Sequence, residues 1–289
     1  MLSNQEKQIF NKYFSLAGID EVGRGSLAGP VTSAIVLIKK KIYIKGVKDS
    51  KMLSQKQREE VFEEIKDNPN IEWRVSHISP KVIDQVNILN ATILSWKNSL
   101  KQLNSQPDFL FLDGNQIIPN LKIKQKAIIK GDQKIFLVSL ASIIAKVLRD
   151  RLMEKMDKKY PLYGFNQHKG YGTKYHMEMI KKHGPSEIHR RSFSPVFENL
   201  SFRDKVYQVV SRIPKGSVLS YKEVAEKINH PKSYRAIGNV LNKNPYRWVP
   251  CHRVIKSNGK IGGFARGSEA KKELLKKEKF AFINPKCYN

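Results

Sequence analysis

The sequence predicts an α/β layered domain over residues 1–200, followed by a smaller, mainly helical domain over residues 201–289. Three observations carry this. Apolar, β-branched runs alternate with helical stretches as far as Leu200. Around residues 198–202 the pattern changes to short apolar stripes at helical spacing. With 289 residues, 40% of them hydrophobic, the chain can build two ordinary cores.

The stretch Ala17-Gly18-Ile19-Asp20-Glu21-Val22-Gly23-Arg24-Gly25 starts as an apolar strand and puts two adjacent carboxylates where that strand ends. Strand side chains alternate faces, and a buried, unpaired carboxylate is expensive. One acid therefore wants a metal or a cationic partner, and the other a neighbouring ligand position. Gly23 and Gly25 carry no Cβ, so a backbone or a ligand can come close.

Residues 35–44 read as strand–turn–strand, and Ser54 as the cap of a helix through Phe62. Residues 72–78 alternate as a strand. Residues 80–103 read as a helix with Val82, Val86, Leu89, Ile93 and Leu100 on one stripe. A short apolar strand, residues 108–112, ends in Asp113-Gly114, and Lys130-Gly131-Asp132 leads into a helix over 135–156. Residues 160–195 are loop-rich. Beyond Leu200, Val206, Val209, Val210 and Ile213 form a helical stripe closed by Pro214-Lys215-Gly216. Two short helices follow, 221–228 and 233–241.

Lys plus Arg number 53 against 26 Asp plus Glu, a net charge of +27. Such an excess points to a polyanionic partner, nucleic acid above all. From Ser201 on, 20 basic residues face 6 acidic ones, so the tail is the more basic part. Two cysteines, Cys251 and Cys287, make no disulfide framework, and the expected setting is a reducing cytoplasm. The first ten residues are too polar for a secretory signal. No apolar run reaches the roughly 18 residues of a membrane span. A monomer without membrane contact is expected.

Asp20, Glu21, Asp113 and Asp132 each lie beside glycine or at the end of an apolar run. Oxygen-only donors suit Mg2+ or Mn2+ rather than zinc. Two such ions about 4 Å apart activate a water and stabilise the leaving oxygen in phosphodiester cleavage. His168, His176, His183 and His189 have no zinc-like spacing. Asp150 beside Arg149 reads as an ion pair, and Trp73 and Trp96 as packing.

The motifs around these acids closely resemble the ribonuclease HII family. They are Gly18 to Gly25 with Ala28-Gly29-Pro30, Asp49-Ser50-Lys51, Leu112-Asp113-Gly114 and Gly131-Asp132. Ala141 to Val147 with Arg149-Asp150, His168 to Thr173, and Gly184 to Phe193 complete the set, in the family's order. The resemblance implies a ribonuclease H-like fold and a metal-dependent endonuclease that nicks RNA/DNA hybrids and duplexes on the 5′ side of a ribonucleotide. It implies Asp20, Glu21, Asp113 and Asp132 as catalytic metal ligands. The Gly23-Arg24-Gly25 backbone would read the 2′-hydroxyl, which separates RNA from DNA. Tyr171 would stack on the deoxyribose after the junction, and Lys51 and Lys146 would contact phosphate. One departure is Leu140, where the family more often has alanine.

The other informative stretch is Pro250-Cys251-His252-Arg253-Val254, since a cysteine among basic residues can be held partly as thiolate. With Ile213 to Gly216, Ser220-Tyr221, Arg235 to Asn239, Asn244-Pro245, Gly262-Gly263-Phe264, Leu274-Leu275 and Glu278, it resembles the C-terminal domain of the O6-alkylguanine-DNA alkyltransferases. That resemblance implies a winged helix-turn-helix unit that flips a damaged guanine out of the duplex and takes its alkyl group on Cys251. Arg235 would fill the gap, Tyr221 would press on the adjacent phosphate, and Asn244, His252 and Glu278 would draw the proton off the thiol. The family's usual N-terminal domain is missing, the chain is one residue shorter between Asn244 and Cys251, and Lys279 stands where glycine is usual. The alternative is a tail that only binds DNA or a lesion and raises the nuclease's affinity by linkage.

Overall fold

The computed structural model describes residues 2–40, 42, 44, 47 and 53–278. Lys51, Ser50, Cys287 and much of the second half of the expected strand–turn–strand lie outside them. The chain divides into two compact units, one up to Arg190 and one from Arg191 on.

The first unit runs α1 (Asn4–Phe10), β1 (Leu16–Val22), β2 (Val31–Ile38), α2 (Gln55–Lys66), β3 (Ile71–Ile78), α3 (Pro80–Lys101) and β4 (Phe109–Asp113). It continues with β5 (Lys124–Ile128), α4 (Gly131–Lys134), α5 (Phe136–Lys159), α6 (Phe165–His168) and α7 (Lys174–His183). The five strands form one mixed sheet in the order β3-β2-β1-β4-β5. β1 lies at the centre, antiparallel to β2 and parallel to β4.

Both faces of this sheet are covered, so β2 is buried along its whole length and β1 as far as Asp20, rather than on alternate residues. Leu16, Ala34, Val36 and Phe111 pack with α2 and α5, while Ala17, Ile19, Ile35 and Leu112 pack with Trp96 of α3. Gly18 is what lets α5 come down onto the sheet. A Cβ there would stand 2.6 Å from the Val138 nitrogen.

α3 differs from the single stripe expected. Asn87 takes φ 66° with ψ 169° and breaks the register, a strained backbone region that residues other than glycine rarely adopt. After the break the buried face is Ala91, Thr92, Ser95, Trp96 and Ser99, and Leu89 is exposed. α1, β5 and α7 were not anticipated. α1 is anchored by a Ser3–Glu6 capping box, and Glu6 also reaches into the core. Its carboxylate accepts the Phe136 and Leu137 N–H groups, each at 2.9 Å, and so caps α5, whose own N-cap residue Ile135 makes no side-chain bond.

The second unit holds α8 (Ser194–Glu198), α9 (Phe202–Ser211), β6 (Leu219–Ser220), α10 (Tyr221–Lys227), α11 (Tyr234–Asn242), β7 (Val254–Ile255) and α12 (Ser268–Lys277). Its core is Val206, Val210, Val224, Ile237, Leu241 and Val254 with their neighbours. A Ser220–Glu223 capping box starts α10, and Asn229, at φ 59°, turns the chain towards α11. β6 and β7 pair for two residues. The unit is helical, as the sequence predicts, although α12 was not foreseen.

Candidate functional site

The register of β1 on β4 ends with Ile19 beside Leu112. One residue further along each strand come Asp20 and Asp113, at the carboxyl ends of two adjacent parallel strands. Alternation sends Asp20 towards α5, where the Ser142 hydroxyl hydrogen-bonds to it, and sends Glu21 towards α3. There Trp96 Nε1 donates to Glu21 Oε2 and Arg24 Nη1 to Oε1, both at 3.1 Å. Asp20 Oδ1 accepts the Glu21 N–H at 2.7 Å. Asp113 Oδ1 accepts the Gly131 N–H at 2.7 Å, which fixes the turn carrying the buried Asp132.

Burial, and then the charges of Glu21 and Asp113, hold the Asp20 carboxyl well above the usual range. Burial also raises Glu21, against the pull of Arg24. Asp20, Glu21 and Asp113 share the wall of a cavity of about 460 Å3 with Gly23, Arg24, Gly25, Ser142, Lys146 and Tyr171. Asp132 is not in that lining. Among the described residues no three Asp, Glu, His or Cys side chains are gathered into a ready-made ligand cage. The donors present still fit a hard divalent cation. They are all oxygens, and burial, with the charges of Glu21 and Asp113 behind it, raises Asp20, a cost that a cation between them would relieve.

Two buried arginines hold the turn after β1, and sequence reasoning missed both. Arg149 of α5 donates to the carbonyls of Pro30 (3.0 Å), Lys169 (2.9 Å) and Ala28 (3.2 Å). Arg190 donates to those of Gly29 (3.0 Å), Arg24 (2.7 Å) and Gly23 (2.5 Å). Both had stood within the quoted motifs, but nothing in a local pattern says which distant carbonyls an arginine will seek. The expected Arg149–Asp150 pair is not what forms. Asp150 instead takes Lys146, at 2.9 Å, so the lysine proposed for phosphate is already oriented at the cavity wall. Trp96 is also more than packing, since it holds Glu21.

Gly23 and Gly25 differ physically. Gly23 has φ +88°, and a Cβ there would overlap the Arg149 guanidinium. Gly25 has no positive φ and nothing within 4 Å of where a Cβ would be. The protein needs Gly23 for itself, while the room above Gly25 faces the cavity. Tyr171, 37% exposed, has Lys146 Nζ 5.9 Å and Arg149 Cζ 5.6 Å from its ring centre.

In the second unit Cys251 lines a cavity of about 740 Å3 with Tyr221, Arg235, Gly263 and Phe264. Asn244 Nδ2 lies 3.3 Å from Cys251 Sγ and also reaches the Tyr246 and Val249 carbonyls. His252 Nε2 is 3.1 Å from Glu278 Oε1. Arg253 takes both Glu278 oxygens and pulls its carboxyl down to about 2. Glu278 is thus an anion that orients His252 and does not itself accept a proton. Tyr221 donates to the Gly263 carbonyl at 3.4 Å, and burial raises its phenol.

A mixed sheet of this order, with acids at the ends of its central parallel pair, defines a ribonuclease H-like nucleic-acid hydrolase. The comparisons narrow that class. The Ribonuclease HII family pattern matches residues 17–196. A ribonuclease HII of Caldicellulosiruptor bescii is 50% identical over 65% of this chain and 91% of its own length. That of Endomicrobium trichonymphae is 45% identical over 68% and 93%. Among solved structures, ribonuclease H2 from Pyrococcus horikoshii OT3 is 30% identical, with a TM-score of 0.56 over 64% of this chain and 96% of that one. The chain belongs to the ribonuclease HII family. Its second unit matches the DNA binding domain of 6-O-methylguanine DNA methyltransferase over residues 201–280.

Proposed function

We propose that this ribonuclease HII nicks RNA/DNA hybrids, and single ribonucleotides embedded in duplex DNA, on the 5′ side of the ribonucleotide. The observation that carries the reading is the meeting of Asp20, Glu21 and Asp113 with the Gly23–Gly25 turn around one cavity. Asp20, Glu21, Asp113 and Asp132 are the residues that would hold Mg2+ or Mn2+, which supplies Lewis-acid charge for the water and the leaving oxygen. Trp96 and Arg24 aim Glu21, and Gly131 aims Asp113. The backbone at Gly23, Arg24 and Gly25 meets the 2′-hydroxyl, Tyr171 stacks on the following sugar, and Lys146 and Lys51 take phosphate. In the test, Asp113→Asn or excess chelator abolishes nicking of a duplex with one ribonucleotide while DNA binding persists. Full activity in chelator overturns the reading.

A second activity is favoured by Cys251 opening into the 740 Å3 cavity with Asn244 at its sulfur. We infer that residues 201–289 transfer an alkyl group from O6-alkylguanine to Cys251. His252, oriented by Glu278, takes the thiol proton, Tyr221 supplies one to the departing guanine oxygen, and Arg235 fills the vacated stack. The thiolate displaces the alkyl carbon, and the resulting thioether is final, so the signal saturates at one per chain. Intact mass should rise by about 14 Da after incubation with O6-methylguanine DNA, and Cys251→Ala should abolish the gain. Lesion binding without any mass gain would leave the unit a binding module. A monomer in the cytoplasm, with the domain boundary at residue 200, completes the proposal. Among the described residues no helix is long and apolar enough to cross a membrane.

A further inference from the structure

Three histidines cluster beneath the cavity's Tyr171 wall, and none of them lines the cavity. His176 and His189 are wholly buried. The backbone groups at the two ends of the pair assign one proton to each ring. His189 Nδ1 meets the Ser186 hydroxyl at 2.8 Å and the Ser186 backbone N–H at 2.9 Å, and because the backbone N–H can only donate, Nδ1 accepts. The His189 proton must then sit on Nε2, 3.0 Å from His176 Nε2. His176 Nε2 accepts it and keeps its own proton on Nδ1. That nitrogen lies 2.8 Å from the Tyr171 carbonyl, which can only accept.

His168 holds the same loop. It stacks on His176 with 4.3 Å between ring centres. Its Nδ1 accepts the Gly170 N–H at 3.2 Å, and its Nε2 donates to the Tyr163 carbonyl at 2.7 Å. Gly170 in turn offers its carbonyl to Leu27 N–H at 2.8 Å, so the loop is tied to the turn after β1. A protonated His176 would set two N–H groups face to face. Burial agrees with the neutral form, and it lowers the His176 imidazole to about 4.

We propose that His176 and His189 are positioning residues of the nuclease, forming a neutral relay from the Ser186 N–H to the Tyr171 carbonyl that holds the Tyr171 ring at the cavity and so sets recognition of the ribonucleotide junction. This rests on the reading that Tyr171 contacts substrate, and the test separates the two. Side chains one bond apart in reach distinguish the two nitrogens of the imidazole. Asparagine at 176 keeps a donor where Nδ1 was, within reach of the Tyr171 carbonyl; glutamine places its amide where Nε2 was and loses that bond.

The experiment uses the full chain on a duplex carrying one ribonucleotide. His176→Gln should raise KM about tenfold, the scale of one lost stacking contact, with kcat nearly unchanged; His176→Asn should recover most of the loss. A structural role alone would lower kcat with the folded fraction and leave KM in place, and that result overturns the proposal. If Tyr171→Ala raises KM but His176→Gln does not, the relay is wrong. If Tyr171→Ala leaves KM alone, the substrate role of Tyr171 is wrong instead. Should the variants fail to fold, the wild-type protein still decides. Nitrogen-15 histidine spectra at neutral pH should show His189 protonated only at Nε2 and His176 only at Nδ1. The opposite tautomers, or an imidazolium at either residue, overturn the proposal.

Discussion

The two glycines that bracket Arg24 should respond to the same substitution in opposite ways. Gly23→Ala forces a left-handed backbone onto a residue with a Cβ, at about 1–2 kcal/mol. That Cβ would also stand 2.7 Å from Arg149 Cζ and 2.9 Å from its Cδ. Arg149 must move, and each of its three carbonyl bonds is a charged hydrogen bond of roughly 1.5–3 kcal/mol. Losing even one brings the cost to about 3–5 kcal/mol. For a unit of this size that lowers Tm by roughly 6–20 °C, at about 2–4 °C per kcal/mol. Gly25→Ala meets nothing within 4 Å and should leave Tm within a degree or two, or raise it slightly through the unfolded chain. Its methyl occupies the space kept for substrate, so nicking at a single ribonucleotide should fall by about two orders of magnitude, as a misplacement near 1 Å at a reacting centre does. Thermal melts and single-turnover nicking on both variants check this. Normal nicking by Gly25→Ala, or equal destabilisation by the two, would refute the division of labour.

Other outcomes follow from the same geometry. Trp96→Phe strands a buried Glu21 oxygen and should cost about 1.5–3 kcal/mol, whereas Trp73→Phe loses only a 3.3 Å bond to the Lys66 carbonyl; calorimetry showing equal shifts would count against the Glu21 role. His176 takes up a proton on unfolding between pH 6.5 and about 4. Its folded pKa lies below the unfolded one, so its contribution is full above pH 6.5 and is lost as pH falls, levelling off below about 4. The loss amounts to about 3 kcal/mol. Urea unfolding of wild type and His176→Asn across that range should diverge accordingly, and parallel curves would disprove it.

The sheet, the two units and the acids at strand ends were legible because they rest on local patterns: apolar runs, glycine turns and caps. Ser54 and Ser220 start their helices as Ser-x-x-Gln and Ser-x-x-Glu promise. The same signal stood in Ser3-Asn4-Gln5-Glu6, where a polar flank hid it. What stayed illegible depends on partners far along the chain. Trp96 looks like any core tryptophan until Glu21 is beside it. Arg149 looks like a partner for Asp150 until three carbonyls are folded around it. The Asn87 kink shifts which residues of α3 face the sheet, and no periodicity computed across an unseen break can recover that.

The cap that Glu6 places on α5 also sets an order of events during synthesis. Its partners, Phe136 and Leu137, follow 130 and 131 residues later. At about 5–20 residues per second the carboxylate waits some 7–26 s in water before the amides it serves exist. A seven-residue helix does not hold its own shape for that time. α1 therefore docks late, after the helix carrying Ser142, Lys146 and Arg149 has been made. The residues of α1, made long before their partners, are among the last to find their place, and the helix that carries Ser142 beside Asp20 is capped only when they do.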